Sequence, residues 1–344
     1  MLSGEPATRP VDVAARIFAI QGQDPRGARL AIRARSAGLT VADVDRAIAE
    51  ERSLVITWLN RGTLHLVRSE DYPLLHALTA PRQKTTLEAR LAREGLTPAE
   101  WERGVAVVER ALEADGSLTR ADLRARLAGA GIRSEGQATV HVLALASQRG
   151  SIIRGPIVGR EQAFVLVRDW LADVPDATGS GTMRGHRAPF DREKGLAELA
   201  RRYLAGHGPA TADDLAAWAG LPLGEARRGL RAIAAELEEL PFGTVDIAGR
   251  GEPPEMPGPR LLGQFEPLLH GWKSRDFVLG RHPRVITDNG IFHPFALVGG
   301  RAVARWRLER RTLRLDPFEP IPPEAVLALV ADAEAVAGYL GRDT

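Results

Sequence analysis

The stretch GSLTRADLRARLAGAG (116–131) decides the fold, because its opening returns 92 residues later as GPATADDLAAWAG (208–220). Gly116, Thr119, Asp122 and Leu123 correspond to Gly208, Thr211, Asp214 and Leu215. A threonine oxygen can accept the backbone N–H three residues on, and a carboxylate there can return the bond, so each phrase reads as a variant of the capping box that starts a helix. Gly129 and Gly131 stop the first of these helices. Upstream, Trp101, Val105, Val108 and Leu112 recur at helical spacing. Downstream, 135–149 predicts another helix, and SIIRGPIVGREQAFVLV (151–167) alternates like two strands about a Gly/Pro turn. Three helices and a hairpin are the order of a winged helix, a relative of the helix-turn-helix.

The second copy is framed in the same way. A helix over 191–205 precedes it, LGEARRGLRAIAAELEEL (223–240) follows as a third helix, and PFGTVDIA (241–248) follows as a strand. A fainter copy, GLTVADVDRAI (38–48), repeats the phrase with Thr40, Asp43 and Val44. The strand-like runs SLVITW and TLHLV then flank the turn-prone Asn60-Arg61-Gly62. Thr-x-x-Asp alone is a common helix start. Helix order and closing hairpins carry the second and third units more firmly than the first.

The sequence therefore predicts an α+β fold of tandem winged-helix (helix-turn-helix) units, three in number, with a C-terminal β-rich segment. The boundaries fall at 1–95, 96–176, 190–248 and 260–344, with Gly/Pro-rich spacers at 177–190 and 249–260. Residues 285–315 read as a β meander with turns at Asp288-Asn289-Gly290 and Gly299-Gly300, and an amphipathic helix begins after Pro322-Pro323.

Composition narrows the function classes. The chain has 344 residues, 44% hydrophobic and 26% charged, which suits packed globular cores. There is no cysteine, which excludes disulfides, thiolate metal sites and a cysteine nucleophile. No apolar run approaches the roughly 20 residues of a membrane span, and the N-terminus shows no secretory signal. A cytoplasmic, nucleoid-associated location is the expectation. The formal charge of +2 is unevenly spread, since residues 270–315 hold 10 Lys/Arg against 3 Asp/Glu. That local excess suits a polyanion such as DNA, and equally a solvated basic face. Walker, dinucleotide, H-E-x-x-H and G-x-S-x-G motifs are missing, and the 8 histidines are scattered. No metal and no cofactor are expected.

One pair of side chains stands out chemically. In FAIQGQDPRGARLAI (18–32), Gln21 and Gln23 sit one residue apart where an apolar helix stops. Glutamine has no proton that titrates near neutral pH, so such a pair serves chemistry only on a substrate already activated. The pair converges only if the backbone is extended or turned. Asp24-Pro25 favours that, because a residue before proline is pushed away from helix. For Asp24 itself, capping or a loop contact is the simpler role.

Tandem winged helices, Q-x-Q after the first helix and R-G-T-L-H-L-V at 61–67 together resemble the winged-helix DNA glycosylase family of the AlkZ and YcaQ type. The resemblance covers residues 10–320, and retention of both glutamines places it nearer the AlkZ branch. It implies a monofunctional DNA glycosylase that hydrolyses the N-glycosidic bond of bulky N7-alkylguanine adducts or interstrand crosslinks, in DNA repair or in self-resistance to a genotoxic natural product. It implies double-stranded DNA with alkylated guanine as the partner, a monomer, no membrane, and Gln21 and Gln23 as the catalytic pair. N7-alkylation gives the purine a positive charge and makes it a good leaving group. The enzyme then needs only to hold water and to stabilise an oxocarbenium-like sugar, which amide oxygens can do by position and dipole.

DNA contacts are expected at several places. Arg61, Thr63 and His65 are placed near the lesion, with His65 reading equally as a packed strand histidine. Arg33 and Arg35 reach phosphate or line a solvated helix face. Trp272, Lys273 and Arg275 lie in HGWKSRDF (270–277), similar to a family stretch that faces DNA. Arg301, Arg305 and Arg307 alternate along VGGRAVARWR (298–307) and so project from one strand face, with Trp306 on the other as core. The alternative function is a non-catalytic winged-helix DNA-binding protein or transcriptional regulator. Regulators of that kind normally dimerise on a pseudo-palindrome, whereas three unequal units in one chain suit a monomer.

Overall fold

Thr-x-x-Asp is a true helix start in this molecule. A computed structural model of the chain describes residues 1–159, 161–175, 182, 190–252, 254–310 and 312–341. Thr119 and Asp122 exchange bonds of 2.9 and 3.2 Å, and Thr211 and Asp214 exchange bonds of 2.8 and 3.2 Å. Asp43 accepts the Thr40 N–H at 2.7 Å, and Thr97 with Glu100 forms a further capping box. Each cap satisfies N–H groups that a helix cannot pair internally.

In chain order the elements are α1 (Pro10–Ile17), β1 (Ile20–Gln21), α2 (Pro25–Arg33), α3 (Val41–Ala49), β2 (Leu54–Trp58), β3 (Leu64–Arg68), α4 (Tyr72–Thr79) and α5 (Lys84–Arg93). There follow α6 (Pro98–Asp115), α7 (Arg120–Gly129), α8 (Ala138–Gln148), β4 (Ile152–Val158), β5 (Glu161–Leu166) and α9 (Val167–Trp170). The last third holds α10 (Arg192–His207), α11 (Ala212–Ala219), α12 (Leu223–Ala232), β6 (Leu237–Leu240), β7 (Thr244–Ile247), β8 (Arg260–Leu262), α13 (Asp276–Leu279), β9 (Phe295–Val298), β10 (Arg301–Glu309), β11 (Thr312–Pro317) and α14 (Pro323–Leu340). Among the described residues, helices α1–α3 (with β1 between the first two), α6–α8 and α10–α12 precede the antiparallel pairs β2–β3, β4–β5 and β6–β7.

The repeats and the compact units are different partitions of the chain. Compactness groups it into Met1–Val44, Ala200–Trp218 and Pro222–Thr344 on the one hand, and Asp45–Leu199 with Ala219–Leu221 on the other. In the unit built on 45–199, the strands β3-β2-β4-β5 run antiparallel in that order. Its core joins Trp101, Val105 and Val108 of α6, Leu123 and Leu127 of α7, Val142 and Leu143 of α8, and Phe164 of β5. The third helix of this copy is therefore internal, with Val142 through Ser147 all buried. Of its residues only Val140, His141 and Gln148 are half-exposed.

The other unit is built on the antiparallel sheet β11-β10-β9-β8. Alternate residues of its strands feed two separate cores. Leu261, Ala296, Ala304 and Trp306 pack with Leu329, Ala333 and Val336 of α14. Leu262, Phe295, Leu297 and Ala302 pack with Leu269, Val278 and Phe292.

Several expectations need correcting. The helix read over 223–240 stops at Ala232, and 237–240 is a strand paired from Leu237↔Ile247 to Leu240↔Thr244. Long-range pairing overrides the helical preference of Leu and Glu there. Residues 285–294 form no strand beyond a single Ile286↔Phe292 bridge. Helices α4 and α5 carry no repeat signal and were not anticipated. The spacer read at 177–190 lies, apart from residues 182 and 190, outside the described residues.

Candidate active site

The Q-x-Q segment is the joint between two helices whose ends are fixed independently. α1 stops because Phe18 takes φ 72, a left-handed conformation costly for a bulky residue. Packing holds it there, since the ring is fully buried, stacks on Trp218 at 5.7 Å and lies 4.5 Å beneath the Arg202 guanidinium. Gly206 of α10 lets that helix approach closely, for a Cβ there would come 2.3 Å from the Arg16 carbonyl oxygen. On the far side Asp24 caps α2, its carboxylate accepting the Gly27 N–H at 2.6 Å, and Pro25 occupies the first turn. Gly27 abuts the backbone of 263–264, where a Cβ would meet the Gln264 oxygen at 2.2 Å. The chain between is left extended, with Ile20–Gln21 as a two-residue strand.

The two glutamines differ in environment. Gln21 is 6% exposed, and its Oε1 has no hydrogen-bond partner among the described residues. A buried acceptor left in that state costs about 1–3 kcal/mol unless a bound group donates to it. Gln23 is exposed and directly precedes the cap of α2, where the helix dipole is positive. Beneath the joint an aromatic cluster continues from Trp218 to Tyr203 at 5.3 Å, from Tyr203 to His207 at 4.8 Å and from His207 to Trp272 at 5.6 Å. Burial pushes His207 down to about 3, so this imidazole stays neutral at physiological pH.

The other sequence candidates fall into distinct situations. Arg35 is wholly buried, paired with Glu266 and donating to the Ala31 carbonyl at 2.8 Å, so its guanidinium faces the protein and not solvent. Arg33 grips Asp332 of α14 with both Nη atoms. Both arginines tie α2 to the rest of its unit. Trp272 donates to the Pro209 carbonyl at 3.3 Å. Lys273 pairs with Asp213 at 3.1 Å, and Arg275 donates to the Leu269 carbonyl at 2.7 Å.

The expectation that Arg301, Arg305 and Arg307 share one face is overturned. Ala302 pairs with Leu297 and Ala304 with Ala296, so Val303 is an inserted bulge residue. One extra residue reverses the alternation, and Arg301 does not continue the row of Arg305 and Arg307. Arg301 donates to the Asp276 carbonyl at 2.8 Å, and Arg305 pairs with Asp316 at 2.6 Å. Trp306 is buried as expected, donating to the Leu262 carbonyl at 2.8 Å.

In the other unit Arg61 and Gly62 form the tip of the β2–β3 hairpin, with φ 57 and 71. Thr63 is half-buried and donates to the Asn60 carbonyl at 3.2 Å. His65 is a packed strand histidine, 2% exposed, its Nδ1 3.0 Å from the Thr63 oxygen. Burial, then the nearby Arg61 charge, pushes it down to about 3. Sequence reasoning missed Asn60, which is fully buried with neither amide atom bonded among the described residues. It also missed Phe18 and Arg202, whose roles depend on a backbone angle and on a partner almost 200 residues away.

Among the described residues no three His, Asp or Glu side chains gather as a metal site, and no helix is long and apolar enough to cross a membrane.

The family model described as DNA glycosylase AlkZ-like matches residues 14–339. A curated relative, the interstrand DNA cross-link repair glycosylase of Streptomyces sahachiroi, is 28% identical over 94% of this chain and 90% of its own. The solved structure of Streptomyces sahachiroi DNA glycosylase AlkZ superposes with a TM-score of 0.76 at 26% identity, covering 98% of this chain and 94% of that one. By its sequence and its fold, this chain belongs to the AlkZ-like DNA glycosylase family.

Proposed function

We propose that this glycosylase hydrolyses the N-glycosidic bond of guanines bearing bulky N7-alkyl adducts or interstrand crosslinks in double-stranded DNA. The observation that carries the reading is the buried, unpaired Oε1 of Gln21 at a joint fixed by Phe18 and the Asp24 cap. An N7-alkylated guanine already bears the positive charge that makes it depart, so no general acid is required. Gln21 accepts a hydrogen bond from the attacking water, and Gln23 turns its amide dipole toward the oxocarbenium-like sugar. Arg61 and Thr63, at the hairpin tip, contact the DNA backbone. The enzyme is monofunctional, acts as a monomer, and works in the cytoplasm on the nucleoid. The Streptomyces sahachiroi relative, named for cross-link repair, supports the substrate class.

The test is base release from duplexes carrying either a defined N7-alkylguanine or a guanine–guanine N7 crosslink, resolved on denaturing gels. Abasic sites and free adducted base are expected, with the strand cut only after alkaline treatment. Tight binding with no release from any of several adducts would turn the reading to a DNA-binding protein.

A further inference from the structure

The first and third hairpins share a tip that neither composition nor the helix-start repeat reveals. Leu59-Asn60-Arg61-Gly62-Thr63 and Leu240-Pro241-Phe242-Gly243-Thr244 follow one pattern, Leu-x-x-Gly-Thr. Their backbones agree as well. Arg61 and Gly62 have φ 57 and 71, Phe242 and Gly243 have φ 63 and 70, so both turns carry two positive φ angles and are of type I′. The threonine closes each in the same way, Thr63 Oγ1 donating to the Asn60 carbonyl at 3.2 Å and Thr244 Oγ1 to the Pro241 carbonyl at 2.9 Å.

A type I′ turn wants Asn, Asp or Gly at its first central position. Phe is a poor choice there, because its side chain strains the left-handed backbone. Phe242 is also 100% exposed, so no packing within its own chain offsets that strain. We infer that Phe242 is a wedge that inserts into the base stack of the duplex, at the position where the first hairpin presents Arg61. The inference rests on the reading of this chain as an enzyme of duplex DNA.

The surroundings favour DNA at the tip only. On α12, which precedes the hairpin as the third helix of its copy, Arg227 and Arg231 are exposed and form no ion pair among the described residues. Four residues apart, they lie on one side of that helix, where two guanidinium groups suit phosphates. Glu238 and Glu239 on β6 are exposed carboxylates that repel the phosphate backbone from the hairpin shaft. An apolar residue at the end of such a shaft separates adjacent base pairs without needing to read their edges.

Phe242→Asn tests this with a residue that suits the turn, and Phe242→Trp restores an aromatic face. The duplex carries 2-aminopurine beside an N7-alkylguanine, so that one sample reports affinity, unstacking and base release. Phe242→Asn is expected to melt no lower than wild type, to bind roughly tenfold more weakly and to lose the 2-aminopurine signal, with Phe242→Trp keeping both. Wild-type affinity and fluorescence in Phe242→Asn would overturn the wedge while leaving the glycosylase reading intact. A wild-type protein that neither binds the duplex nor releases base would end both.

Discussion

At Gln21 the proposed function and the stability of the fold make opposite demands. Its Oε1 is buried without a partner, so an apolar side chain of similar length would remove an unsatisfied acceptor. Gln21→Met is expected to raise the stability by up to about 1 kcal/mol while abolishing base release, as read by thermal melting and a turnover assay. A glutamine serving only the fold would show the reverse. The neutral histidines give a second prediction. His65 and His207 are held near 3 against an ordinary value of 6.5, so below pH 6.5 the unfolded chain takes up protons that the folded one refuses. The stability they contribute is complete above pH 6.5 and is lost as the pH falls toward 3, at about 1.4 kcal/mol per pH unit for each histidine. Denaturant midpoints between pH 7 and 5 should fall accordingly, and His65→Gln should flatten the slope. Because the proposed chemistry uses no titrating group, the rate of base release should stay level from pH 6.5 to 8.5.

At the scale of elements, the Q-x-Q joint exists because α1 and α2 are each pinned by something other than the glutamines. Asp24→Ala removes the cap and is expected to cost about 1 kcal/mol. Gly27→Ala, whose Cβ would lie 2.2 Å from the Gln264 oxygen, should cost about 1–3 kcal/mol and displace Gln23 with the start of the helix. Melting temperatures and turnover of the two variants check this. Much of this scale was legible in the sequence. Thr-x-x-Asp located the helix starts, because a cap is a contact between residues three apart. Asp24-Pro25 marked the joint for the same reason. Strand β6 was not legible, since LEEL is a strand only by virtue of TVDI beside it. The Val303 bulge likewise follows from the register with β9 and not from the alternation of arginines.

At the scale of the molecule, charge must be counted after pairing. The basic excess over 270–315 is largely engaged, with Asp316 holding Arg284 and Arg305, and Glu309 holding Arg307 and Arg314. Arg281 and Arg310 are exposed and form no ion pair among the described residues. Replacing either by Ala should lower the slope of log affinity against log salt by about 0.9 if it holds a phosphate. Arg35→Ala should leave that slope unchanged and instead destabilise by about 3–5 kcal/mol, because Glu266 would remain buried without its partner. Sequence could not separate these arginines, since burial is decided by distant segments such as 263–266 and α14.

The decisive proposal is that Gln21 acts at the glycosidic bond. The direct measurement is single-turnover release of an N7-alkylguanine from a duplex by wild type and by Gln21→Ala, with duplex affinity measured on the same samples. The expected result is a rate lowered at least about a hundredfold with affinity almost unchanged. A Gln21→Ala variant that releases base at the wild-type rate would contradict it.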